Sequence, residues 1–187
     1  KSPAALGRAI QTACRGGRVV VIQFLKNKGL SDSEFLKRLE PEIKVFRFEK
    51  SDAAFESLSP KEQEEEIINI RNGMGYARKV LNTGECDLLI LDEVLGLVDN
   101  GIITVDELKG VLSLKGDTTD IIMTGNKVSE SGISALEIII TSFFGYLGSF
   151  YLMIAKLLNI IEVVGNPDAA VVTQRLGHER QLALLVS

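Results

Sequence analysis

DLLILDE, residues 87–93, decides the reading of this chain. Four consecutive apolar residues, Leu88 to Leu91, suit a strand buried on both faces of a parallel sheet. Asp92 and Glu93 then arrive at its C-terminal end, where open α/β sheets bind their ligands. A buried strand ending in Asp-Glu has the form of a Walker B motif, whose acids hold Mg²⁺ directly or through water. A small, hard cation wants oxygen ligands and keeps several waters. The alternative is plainer: the two acids cap the loop that follows.

Upstream, residues 1–13 read as a helix with Pro3 in its first turn and Leu6, Ala9, Ile10 and Ala13 on one face. Gly16 and Gly17 stop it. Val19 to Ile22 form a second apolar strand, leaving through Gln23 and Phe24. Ser31 and Glu34 have capping-box spacing for a short helix closed by Pro41, and Val45, Phe46 and Phe48 make a third strand. Ser59, Pro60 and Glu62 open a long helix toward Leu81, with Ile67, Ile70, Met74 and Ala77 inward and the acids through Glu66 solvated. Thr104 and Glu107 repeat the capping box, and Asp120 to Gly125 is a further strand ending in a polar turn. Strands alternating with helices predict an α/β fold with a mostly parallel sheet.

Composition narrows the function. The chain has 187 residues and a net charge of −4, enough for one sizeable core and without a broad basic surface, which disfavours nucleic acid as partner. Cys14 and Cys86 fit no metal-ligand spacing and read as reduced thiols of a cytoplasmic protein. The sequence opens at Lys1 with neither Met nor a signal-peptide pattern, which reads as a fragment.

Beyond residue 125 the character changes, and we divide the chain there into a nucleotide-binding domain, 1–125, and an apolar tail, 126–187, expected to be helical. Residues 138–155 are an uncharged run of eighteen, at the lower limit for a membrane span. With no Lys/Arg bias beside it, a buried hairpin or self-association face is favoured over membrane contact. Residues 166–178 read as a short helix ending at Gly177.

Lys1 and Ser2 opening a helix match the end of a Walker A loop, in which backbone N–H groups and a lysine cradle phosphates while a hydroxyl ligates Mg²⁺. The glycines of that loop would lie upstream of Lys1. Taken together, KSPAALGRA (1–9), RVVVIQFLK (18–26), DLLILDEV (87–94), the Asn100-Gly101 turn and MTG (123–125) resemble the P-loop ATP:cob(I)alamin (corrinoid) adenosyltransferases over residues 1–125. The resemblance implies a RecA-like three-layer P-loop fold that moves the 5′-deoxyadenosyl group of ATP to a reduced corrinoid cobalt and releases triphosphate. By position, Lys1 would neutralise phosphate charge, and Ser2 with Glu93 would hold Mg²⁺. Asp92 would orient a metal-bound water, and Phe46 and Phe48 would line the corrinoid face. The chain has no tryptophan in that region, and residues 133–187 depart from the family pattern. The resemblance further implies a cytoplasmic homodimer fed by a flavoprotein reductant. Two other readings stay open. One is a different RecA-like ATPase or kinase, with Glu93 activating water. The other is a non-catalytic remnant whose tail binds a membrane or partner.

Overall fold

The computed structural model describes residues 2–25, 38–51, 53–116, 118–125, 170–173 and 182–186. Helix α1 (Ser2–Cys14) leads into β1 (Val19–Gln23), followed by β2 (Ile43–Arg47) and the long α2 (Pro60–Thr83). Then come β3 (Leu88–Asp92), the short α3 (Val94–Asp99), α4 (Val105–Leu112), β4 (Asp120–Gly125), β5 (Ala170–Thr173) and β6 (Leu182–Val186). The strands form one sheet in the order β2-β1-β3-β4-β6-β5. Every pairing is parallel except β5 with β6. This is the mixed α/β, mostly parallel arrangement expected of a RecA-like P-loop fold, and its single sheet carries strands from both sides of residue 125.

Alternation along the strands sorts the core into two layers. Val20, Ile22, Leu89, Leu91, Ile121 and Met123 face α2, α3 and α4, packing on Ile70, Met74, Ala77, Leu97, Leu108 and Val111. Val19, Val21, Ile43, Leu88, Ile90 and Ile122 face the other way, against Ala5 and Ala9 of α1. A tight turn through Gly16, at φ 81°, sends α1 straight into β1, so the two run antiparallel. The 13 residues of α1 rise about 20 Å, against about 16 Å for the five of β1. The N-terminal end of α1 therefore lies at the C-terminal edge of the sheet.

Of the three predicted capping boxes, the two that fall among the described residues form. Ser59 and Glu62 exchange hydrogen bonds at the start of α2, as do Thr104 and Glu107 at the start of α4. In each box the hydrogen bonds to the serine or threonine hold the glutamate below the usual carboxylate range. Gly84, at φ 62°, closes α2.

Two expectations are corrected. Glu66 is not part of a solvated acidic turn: it is buried, and its carboxylate accepts from the Lys50 and Ser51 amides at 2.9 and 2.6 Å. The loop leaving β2 needs those acceptors, and Glu66 sits one turn inside α2 on the face turned toward it. The helix expected over 166–178 gives way at its centre to β5, where the β-branched pair Val171-Val172 favours a strand paired with β6. Of the helix expected at 31–41 only residues 38–41 are described, and they form a turn leading into β2; the apolar run 138–155 lies outside the described residues. Among the described residues no helix is long and apolar enough to cross a membrane.

Gly73 lets α2 approach the sheet. A Cβ there would sit 2.7 Å from Phe24 Cε1 and 2.8 Å from Phe48 Cγ, whereas a Cβ at Gly75 meets nothing within 4 Å. Gly73→Ala is expected to lower stability, because overpacking of about 1–3 kcal/mol outweighs a helix-propensity gain of about 1 kcal/mol. Gly75→Ala is expected to raise it by about 0.5–1 kcal/mol; chemical denaturation of both variants checks the opposite signs. Burial, then the Asp87 charge, pushes the Cys86 thiol up to about 12. An alkylating reagent at pH 8 should modify the exposed Cys14 and spare Cys86, as peptide mapping would read.

Candidate active site

The strand order reverses at β1 and β3. Connections from β1 lead outward to β2, then back across to β3 and onward to β4. Open α/β sheets take ligands at such a switch point, in the crevice beyond the C-terminal strand ends, which here are those of β1 and β3. Gln23 ends β1 and Asp92 ends β3, and the two are partners in register.

Alternation places Gln23, Asp92 and Thr124 on the α1 side of the sheet, continuing the rows of Val19 and Val21, Leu88 and Ile90, and Ile122. The three side chains bond across three adjacent strands. Gln23 Nε2 donates to Asp92 Oδ2 at 3.2 Å, and Thr124 Oγ1 donates to Asp92 Oδ1 at 2.6 Å. All three are buried, with exposures of 0, 1 and 0 %. Arg47 lies beside Gln23 on β2 and extends the row; its Nε is 3.5 Å from Glu49 Oε1.

Glu93 follows directly in a left-handed conformation, φ 64° and ψ 17°, which a non-glycine residue adopts only under constraint. The constraint is visible. Its backbone N–H donates to Thr124 Oγ1 at 2.8 Å, so one hydroxyl serves the Glu93 amide and the Asp92 carboxylate together. Although Glu93 stands at the N-cap of α3, its side chain makes no capping hydrogen bond. Asp92 accepts from Gln23 and Thr124 on the neighbouring strands.

Ser2 begins α1, so the backbone brings the helix start to the same edge and face as this row. Lys1 lies outside the described residues. Phe46 and Phe48 are not brought together with the acids. They pack on the α2 side of the sheet, with ring centroids 4.7 and 5.8 Å from Tyr76. Burial, helped by the charge of Glu85, raises the Tyr76 hydroxyl above its ordinary range.

Sequence reasoning missed Gln23, Thr124, Arg47 and Tyr76. Gln23 and Thr124 did carry a signal, a polar residue closing an otherwise apolar strand. Among the described residues no three His, Cys, Asp or Glu side chains cluster as a closed cation cage. Two adjacent carboxylates beside a helix start instead suit a cation shared with phosphates.

No curated protein matches the chain. The family model of the ATP:corrinoid adenosyltransferases BtuR/CobO/CobP matches residues 1–141, which span the α1 start, the Gln23–Asp92–Thr124 row and Glu93. The chain therefore belongs to the ATP:corrinoid adenosyltransferase family, whose members use ATP and a corrinoid substrate.

Proposed function

We propose that the protein transfers the 5′-deoxyadenosyl group of ATP to the cobalt of a reduced corrinoid, with triphosphate as the leaving group. The observation that carries this reading is the hydrogen-bonded row Gln23–Asp92–Thr124 with Glu93 at the switch-point crevice, on the face where α1 begins. The cobalt electron pair forms the bond to C5′, and the C5′–O bond breaks with its electrons leaving on triphosphate. The nucleophile belongs to the substrate, so the protein need supply no base. Its work is to position ATP and stabilise charge growing on the departing oxygens.

The residues divide that work. Lys1 neutralises phosphate charge, and the N-terminal N–H groups of α1 face the same anion. Ser2 and Glu93 would hold Mg²⁺, which would offset triphosphate charge. The donor set fits that ion: hard oxygens and few carboxylates. Asp92, held by Gln23 and Thr124, would accept from a water of that ion. Phe46 and Phe48, with Tyr76, offer an apolar patch at the C-terminal end of β2 for the corrinoid. We further read the protein as a cytoplasmic homodimer that receives its corrinoid from a flavoprotein reductant.

Incubating the protein with reduced corrinoid and ATP tests the reaction. Adenosylated corrinoid with triphosphate is the expected product; ADP and phosphate alone would replace this reading with an ATPase. Two substitutions separate fold from chemistry. Glu93→Gly relieves the left-handed backbone and should leave stability equal or higher while abolishing Mg²⁺-dependent turnover. Thr124→Val orphans the Glu93 amide and one Asp92 oxygen, so it should cost about 1–3 kcal/mol and lower turnover about 10–100-fold. Thr124→Ser keeps the hydroxyl and should behave close to the parent in both thermal melts and turnover.

A further inference from the structure

Within the Gln23–Asp92–Thr124 trio, one buried acceptor has no hydrogen-bond partner. Gln23 Oε1 is buried and accepts no hydrogen bond, although the same carboxamide donates through Nε2 to Asp92. The orientation of the amide is set by chemistry. An ionised carboxylate can only accept, so turning the amide over would place two oxygens against each other. The acceptor is therefore committed to face away from Asp92, within a buried row where an unmet acceptor is costly. Arg47, the neighbour in register on β2, does not satisfy it; its Nε forms an ion pair with Glu49 Oε1 at 3.5 Å. Gln23 lies at the switch-point end of β1, on the side where α1 begins.

We propose that Gln23 is a positioning residue whose Oε1 accepts a hydrogen bond from a water carried by the Mg²⁺ of bound ATP. This inference rests on the nucleotide site proposed above. Mg²⁺ keeps several waters when it binds beside phosphates, and each such water is a strong donor in need of acceptors. Gln23 would supply one acceptor while its Nε2 fixes the rotation of Asp92, which supplies another. The pair orients the hydrated ion without adding charge. A purely structural role needs only the donor half of the amide, and leaves Oε1 unexplained.

The test uses Mn²⁺ as a spin-active substitute for Mg²⁺, titrated with ATP into the parent, Gln23→Met and Glu93→Gln proteins and read by electron paramagnetic resonance of free Mn²⁺. Gln23→Met preserves length and apolar packing but removes the acceptor. It should weaken Mn²⁺ binding about tenfold, as loss of an outer-shell partner does, with metal-free ATP affinity unchanged. Mn²⁺ affinity equal to the parent's would overturn the inference and leave Gln23 as a brace for Asp92 or the partner of an isolated water. If Glu93→Gln loses Mn²⁺ while Gln23→Met does not, only this inference falls. If neither variant changes Mn²⁺ binding, the metal assignment of Glu93 falls as well. Should Gln23→Met not fold, the side-chain amide resonance of Gln23 in the parent decides the matter. It should move when Mg²⁺ is added to the ATP-bound protein, and a stationary resonance sinks the proposal.

Discussion

A single buried carboxylate ties the functional edge of this molecule together. Asp92 has almost no contact with solvent, and an isolated charge in such a place is costly enough to be protonated or expelled. It is tolerated because β1 and β4 each deliver a neutral donor to it, Gln23 and Thr124. Those donors arrive only if the three strands hold their parallel register and end level with one another. Slippage of one residue would turn either donor to the opposite face. The requirements of the charge and those of the sheet are thus the same requirement, and the apolar rows behind them enforce both.

The same hydroxyl carries the constraint one residue further. Thr124 accepts from the Glu93 amide and so holds that residue in a backbone region it would otherwise avoid. The carboxylate of this strained residue makes no capping hydrogen bond. Backbone strain held by a network anchored elsewhere is a familiar way of pre-setting a side chain, and suits the metal role proposed for Glu93. Here the anchoring is short. Three hydrogen bonds in series link the β1 end to the Glu93 backbone.

Much of this architecture was legible in one dimension. Leu88 to Leu91, Val19 to Ile22 and Asp120 to Gly125 announced buried parallel strands by unbroken apolar runs, and two capping boxes marked helix starts that formed as read. Asp92 and Glu93 were legible as an acid pair at a strand end. Their partners were not, because period-two alternation gives each strand its faces but says nothing about which residues of distant strands meet. Glu66 was misread for a related reason: three glutamates in a row look alike until a loop fifteen residues upstream points its amides at one of them. Phe46 and Phe48 were recognised as a pair on one face, yet the face was fixed only by the packing of Tyr76 and Gly73 against them. Val171 and Val172 were read by their flanking cap and breaker residues, although their branched side chains carried the stronger signal.

The alanines of α1 have a further consequence. Ala5 and Ala9 are the fully covered contacts between this helix and the sheet, with Leu6, Ile10 and Ala13 packed around them, so the covered centre of the contact is made by methyl groups. Methyls have no rotamers to adjust, and a helix seated on them has little latitude to rock or slide. The height of its first turn above the strand ends is consequently a property of the core, settled during folding. A nucleotide bound there, as proposed, would meet a gauge already cut to one thickness.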